Sequence, residues 1–466
     1  MKILKFGGTS VGTAARMRAL PALLPTDTPF IVVLSAMAGT TNRLLQLVQQ
    51  LYAGQGVAAA GQLAALRTHY NGIAHELLTE TGVLTAALRA VDACFDAIAA
   101  LLPAPLTITG ERIILAQGEL LSTALFHGYL TGIVGREAVL LPALEFMRLR
   151  PDQEPDAEFI EAQLADLLSN HPGCRCFITQ GYVCRDAQGH IDNLKRAGSD
   201  YSATLIGAAV RAAEIQIWTD IDGLHNNDPR VVKDTYPLRE LSFDEAAELA
   251  YFGAKILHPS SVLPARKYGI PVRLLNTMQP EAPGTLICAR HRREGIRAVA
   301  VKDGLLMFKI CSNRRVVAYD FLHAVFDCFK RHRIPIDLVA TTETAVSLTV
   351  EDAHALPPLI AELQQFGDIT IVRDVSVVCV VGQHLMRARA FHDGPQLVFG
   401  ALRDIGLHMI CYGGSTNNLC LVINSTDKAP ALQLLNEQVF DGWAADSLQV
   451  STGQPVSELS ACAALF

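Results

Sequence analysis

Apolar runs of strand length punctuate the first 290 residues: MKILKF, PFIVVLSAM, REAVLL, CRCFITQGYV, IQIWTDIDG and IPVRLLN. Between them lie helically spaced stretches, such as the Ala- and Leu-rich 56–100 and the segment 200–213. Buried strands alternating with helices predict an α/β unit with a largely parallel sheet, covered on both faces. Ligands of such sheets bind beyond the carboxyl ends of the strands. The texture changes after the charged run RHRRE (290–294), which reads as a linker or hinge. From there the pattern is LLMFKI, a helix at 320–332, IPIDLVATTETAVSLTVED, a helix at 353–366 and ITIVRDVSVVCVVG. It resumes with a helix at 393–406, HMICYGG, NNLCLVINS and a helix at 427–438. That is the order of two βαββ-type modules in tandem. The expected domains are 1–290, 296–372 and 373–466, with strand exchange between the last two as an option.

Composition narrows the function. The 466 residues are 50% apolar and 18% charged, enough for a large buried core. A net charge of −7 without a long basic run argues against nucleic acid as a partner. No run reaches the roughly 18 apolar residues of a membrane helix, and Lys5 interrupts the only early apolar run, so no leader is expected. The cytoplasm is the expected location, with no membrane partner. The 11 cysteines include one close pair, Cys174 and Cys176. Alternate positions on a strand face opposite ways, so these read as buried hydrophobes rather than metal ligands. No metal site of the protein's own is expected.

Six loops carry candidate chemistry. In KFGGTS, Gly7 and Gly8 let backbone N–H groups approach an anion, Lys5 adds a charge, and Thr9 and Ser10 add hydroxyls. The same residues also suit an ordinary turn. LKRAGSDYSA offers Arg196, whose planar fork grips a carboxylate, and Ser199 and Asp200 at a helix start. Asp200 is either an N-cap or a group that orients Lys5 or sits near a metal. IWTDIDGLHNNDPR ends a strand in Thr219 and Asp220, with Asp228 before a proline suited to turn chemistry. FGAKILHP presents Lys255, a second phosphate cation or a solvated lysine. VVLSAMAGTTN ends a strand in Ser35, Thr40 and Thr41. AQGELLSTAL places Glu119 in an apolar helix, as a dipole partner or a ligand for an ammonium group.

These six stretches, in this order and spacing, resemble the aspartate kinases. The match covers the whole of 1–290, and the C-terminal part resembles that family's paired ACT modules, βαββαβ units of ferredoxin-like type. FLHAVFDCFKRHRIPIDLVATTETAVSLTV is similar to the first ACT module of the lysine-inhibited, single-function branch. The resemblance implies an amino-acid-kinase-type sandwich and ATP-dependent phosphorylation of the β-carboxylate of L-aspartate, the first step of lysine, threonine and methionine biosynthesis. It implies Lys5 and Lys255 on the phosphoryl group, Asp200 holding Lys5, and Gly7, Gly8, Thr9 and Ser10 around the phosphates. Thr219, Asp220, His225, Arg230 and Ile256 fall where the family binds nucleotide. Mg²⁺ is held mainly by the nucleotide's phosphates. Arg196 clamps a substrate carboxylate, Glu119 takes its ammonium, and Ser35, Thr41 and Ser199 add hydrogen bonds. Ala318, Phe321, Leu322, Asp337, Thr342 and Glu343 match effector positions. Lysine leads as effector, threonine follows, and no effector is the third option. A homodimer or dimer of dimers is implied.

The chain departs from the family pattern in places. Lys195 and Ala197 replace loop glycines, His225 a tyrosine, Asp320 a glycine and Ala318 a serine. A kinase for another acidic substrate and a catalytically weak amino-acid sensor remain as alternatives.

Overall fold

The structure is a computed structural model that describes residues 1–194, 198–253, 258–289, 295–312, 318–351, 356–383, 385 and 394–440. It divides into two units, one of 1–224 with 240–292, the other of 225–239 with the residues from 293 onward.

The first unit is built on eight strands. They are β1 (Lys2–Phe6), β2 (Phe30–Leu34), β3 (Val139–Leu141), β4 (Cys176–Gln180), β7 (Glu214–Thr219), β8 (Glu240–Ser242), β9 (Val272–Asn276) and β10 (Thr285–Cys288). A separate hairpin pairs β5 (Val183–Arg185) with β6 (Ile191–Asn193). The sheet order is β3-β4-β2-β1-β7-β9-β10-β8, parallel throughout except β9 with β10. All six apolar runs of the sequence became strands of this sheet. The short strands β8 and β10, at one end of the sheet, lack such a run and escaped the pattern.

Alternation along β1 assigns its two faces. Leu4 and Phe6 join Phe30, Val32, Leu34 and Ile178 in a core completed by the helices Thr40–Tyr52, Gly56–Leu77, Thr81–Ala99 and Ile108–Gly128. Ile3 and Lys5 point the other way. There helix Gly198–Ala209 crosses, so close that a Cβ on Gly207 would sit 3.5 Å from Ile3. Lys5 is thus the polar member of a strand face that otherwise packs on this helix.

The second unit is one antiparallel sheet of six strands. They are β11 (Gly295–Ser312), β12 (Ile336–Thr341), β13 (Ala345–Glu351), β14 (Gly367–Gln383), β15 (Leu407–Tyr412) and β16 (Asn418–Asn424), ordered β12-β13-β11-β14-β16-β15. The long strands β11 and β14 serve two modules. The second half of β11 and first half of β14 pair with each other beside β13 and β12, under helices Ala318–Arg331 and Leu356–Leu363. The first half of β11 and second half of β14 do so beside β16 and β15, under helices Pro395–Ala401 and Lys428–Val439. The first ACT-like module is therefore nested inside the second. Val232 of the segment 225–239 enters the core of that second module.

Candidate active site

The carboxyl ends of β1, β2, β4 and β7 open on a cavity of about 780 Å³, whose described lining residues all belong to the first unit. Lys5, Gly7, Gly8 and Thr9 line it from β1, Ser35 and Thr41 from the loop after β2, and Thr219 and Asp220 from β7. Glu119, Tyr182, Ser199 and Asp200 line it as well.

The β1 loop is shaped by its glycines. Gly7 N–H donates to the Trp218 carbonyl at 2.9 Å, and the Gly8 carbonyl accepts from Ala38 N–H at 3.0 Å. A Cβ on Gly8 would stand 2.8 Å from the Ala36 carbonyl oxygen, so this approach of two loops requires glycine. Ser10 takes a different place from the one its motif suggests. It is fully buried, its hydroxyl 2.6 Å from that of Thr277, and it braces the loop from behind.

Lys5 Nζ lies 2.6 Å from Asp200 Oδ1, with side chains only 10% and 13% exposed. Strand alternation turns Lys5 toward helix Gly198–Ala209, and Asp200 stands in that helix's first turn. Gly198 admits Tyr182, whose Cδ2 would be 2.3 Å from a Cβ there.

Glu119 is the buried acid of the cavity, 5% exposed in the middle of helix Ile108–Gly128. Gly118 lets that helix approach Ala36, since a Cβ at 118 would meet the Ala36 Cβ at 2.8 Å. Burial pushes the Glu119 carboxyl up to about 8, against the opposing pull of the Ala36 N–H and the Lys5 charge. A cationic group placed beside it would restore the ionised form.

The first 276 residues match the Amino acid kinase family. Lysine-sensitive aspartokinase 3 of Escherichia coli is 33% identical over 94% of this chain and 99% of its own length. This chain belongs to the aspartokinases. Aspartokinase 3 of Arabidopsis thaliana, a chloroplastic enzyme, is also 33% identical, over 94% of this chain and 81% of the relative. E. coli aspartokinase III in complex with aspartate and ADP superposes with a TM-score of 0.82 at 31% identity, covering 95% of this chain and all of that one. The same enzyme with lysine and aspartate gives 0.79 at 31% identity and the same coverage.

Within this aspartokinase, Lys5, Gly7, Gly8, Thr9, Ser35, Thr41, Glu119, Ser199, Asp200, Thr219 and Asp220 converge on one cavity. Arg196, Lys255 and Ile256 lie outside the described residues, as does the departure at Lys195 and Ala197. His225 and Arg230 belong to the second unit. His225 Nδ1 lies 2.9 Å from the Thr235 hydroxyl, and Arg230 grips Asp228 through Nε at 2.9 Å and Nη2 at 2.7 Å. Tyr182 went unnoticed in the sequence. Its φ of 65° is rare for a bulky residue, and the QGYV turn after β4 was the available signal.

Of the effector positions, Phe321 is a core residue of the first module and Leu322 packs against that core. Asp337 pairs with Lys302 at 2.5 Å. Thr342 N–H donates to the Ala345 carbonyl at 2.8 Å in the exposed turn that also carries Glu343. The side chain of Ala318 is outside the described set.

Proposed function

We propose that this aspartokinase transfers the γ-phosphoryl group of ATP to the β-carboxylate of L-aspartate, giving 4-phospho-L-aspartate and ADP. The observation that carries this reading is the pairing, in one cavity, of a lysine fixed by a carboxylate with a buried acid suited to an ammonium. The acceptor carboxylate is ionised at neutral pH and needs no general base. The obstacle is anion meeting anion, so the protein's work is positioning and charge neutralisation. Lys5, steered by Asp200, faces the transferring phosphoryl. The N–H groups of Gly8 and Thr9 receive phosphate oxygens, since that of Gly7 is held by the Trp218 carbonyl. Glu119 takes the ammonium of aspartate, with Ser35, Thr41 and Ser199 as further donors. Arg196 as carboxylate clamp, Lys255 as second phosphate cation and Ile256 at the nucleotide rest on the family resemblance, as do His225 and Arg230.

Hard oxygen donors, Asp220 and Thr219, stand at the end of β7, a set that suits magnesium carried mainly by phosphates and its own waters. Bound there, Mg²⁺ would neutralise phosphate charge. Among the described residues no group of three His, Cys, Asp or Glu side chains forms a cage for a metal.

Gly8→Ala forces the Ala36 carbonyl away, and a shift of that kind is expected to raise the KM for ATP about tenfold and to lower the melting midpoint, because the displaced atom is backbone. A smaller change than twofold would remove the close approach from the mechanism. The full chain, given ATP, Mg²⁺, aspartate and hydroxylamine, is expected to form aspartyl hydroxamate. Glutamate in place of aspartate is expected to give none, and an aspartate-independent or absent product would refute the assignment.

The ACT-like modules are proposed to bind lysine as a feedback effector, with threonine as the second candidate. The E. coli relative is named lysine-sensitive and was solved with lysine. Millimolar lysine in the same hydroxamate assay is expected to suppress turnover. An association of at least two copies through the modules, and work in the cytoplasm at the head of lysine, threonine and methionine biosynthesis, complete the proposal. No described helix is long and apolar enough to cross a membrane.

A further inference from the structure

The two modules meet at a bulge in β11, where polar contacts leave in two directions. The register of β11 against β14 shifts between Lys302 and Leu305, and Gly304 has a φ of 74° there. Lys302 Nζ lies 2.5 Å from Asp337 on β12 and 3.1 Å from Glu351 at the end of β13, both in the first module. Its neighbour Asp303 turns to the second module. Asp303 accepts from the Ser376 hydroxyl at 2.8 Å and pairs with Lys428 Nζ at 2.7 Å. The Lys302–Asp337 pair is largely enclosed, with side chains 19% and 7% exposed. Adjacent residues of a strand face opposite ways, which lets one dipeptide engage both modules.

Lys428 opens helix Lys428–Val439, and one stripe of that helix extends the connection. Leu432 and Asn436 follow Lys428 at four-residue intervals and share its face. The Leu432 carbonyl accepts from Asn227 Nδ2 at 3.0 Å, and Asn436 Oδ1 accepts from Asn226 Nδ2 at 3.3 Å. Asn436 Nδ2 donates to the Asp234 carbonyl at 3.3 Å. These partners lie in the segment 225–239, in which Asn226 and Asn227 are buried. In the same segment the Asp228 carboxyl is held below its usual range, chiefly by Arg230 and to a lesser degree by the Lys428 charge. The chain enters this segment directly after the loop that begins with Thr219 and Asp220 of the cavity wall.

We propose that Lys302 is a built-in occupant of the modules' ammonium acceptor, with which an incoming amino-acid ammonium competes for Asp337 and Glu351. Displacement of Lys302 releases the bulge, and Asp303, Lys428 and the helix stripe carry the change to the segment 225–239. The inference rests on the reading that the modules take lysine, and adds which internal group lysine must displace and where the displacement is read. Two ammonium groups cannot share these carboxylates without mutual repulsion, so the tethered one sets the concentration of free lysine required.

The test measures lysine binding to the full chain by calorimetry and lysine inhibition by the hydroxamate assay. Lys302→Met is expected to bind lysine about tenfold more tightly than the unaltered chain, within the usual range of coupling between sites. Lys302→Gln, which keeps a donor beside Asp337, is expected to do the same and covers the case in which the methionine variant fails to fold. Lys428→Met is expected to bind lysine normally but to lose most of its inhibition. Both positions lie outside the cavity, and turnover without lysine is expected to stay within about twofold. If the unaltered chain binds lysine and the Lys302 variants bind it with the same constant, the competition is refuted while the effector reading stands. If Lys428→Met is inhibited as fully as the unaltered chain, the relay is refuted. If neither the unaltered chain nor the Lys302 variants bind lysine, the effector reading itself fails and the proposal with it.

Discussion

Lys5→Met is expected to lower aspartate-dependent turnover by about 10³-fold or more, the scale on which a single cation acts in phosphoryl transfer. Lys5 is the only charged side chain on the buried face of β1 that meets helix Gly198–Ala209, and Asp200 fixes its ammonium at 2.6 Å. A cation preorganised in this way stabilises charge as it develops, without reorganisation at the moment of transfer. The variant also leaves Asp200 as an enclosed, uncompensated charge, a loss that costs about 3–5 kcal/mol for buried pairs. Loss of activity could then be confused with loss of fold. The double variant Lys5→Met with Asp200→Asn separates the two. It is expected to recover most of the melting midpoint and none of the turnover. A stable double variant with near-normal turnover would remove Lys5 from the chemistry.

The pairing of Lys5 with Asp200 shows what the sequence could and could not disclose. Alternation in KILKF gives the face of Lys5, and GSDYSA gives a helix opened by Ser199 and Asp200. Their meeting needs the parallel pairing of β1 and β7 and the return of that helix across the sheet, which local periodicity does not contain. Motif order supplied that link instead. Even within motifs, the structure departed from the pattern at places that depend on distant packing. Ser10 reads as a phosphate hydroxyl, yet the turn at Gly7 buries it against Thr277. Residues 225–239 sit between two strands of the first unit in sequence, but Val232, Asn226 and Asn227 pack with the second. The modules read as tandem, with strand exchange as an option, because GIRAVAV (295–301) and LLMFKI look like separate short runs. They are the two halves of β11, and the register with β14 shows that each half serves a different module of the one sheet.

Glu119→Gln is expected to weaken aspartate use strongly while making the protein more stable, and the two effects have one cause. A carboxylate in this position is held in the protein at the expense of its own hydration. Burial raises its pKa from 4.5 to about 8. Between those values the folded state binds more protons than the unfolded one, so stability falls as pH rises through this window. The shift corresponds to about 3–5 kcal/mol lost by pH 8. Glutamine has no proton to lose. The variant should therefore match the unaltered chain near pH 5 and melt higher at pH 8, with the gap widening across the window. Substrate binding runs with the opposite sign. The aspartate ammonium needs the ionised carboxylate, so between pH 6 and 8 apparent affinity should climb by up to about tenfold per unit and level off above 8. In Glu119→Gln that slope should vanish, and kcat/KM for aspartate should drop by about 10²-fold, as expected when a charged partner is removed from a buried ion pair. The KM for ATP should barely move. Equal melting midpoints at pH 8 would show that Glu119 is not desolvated as its burial demands, and a retained pH slope would move the ammonium site elsewhere.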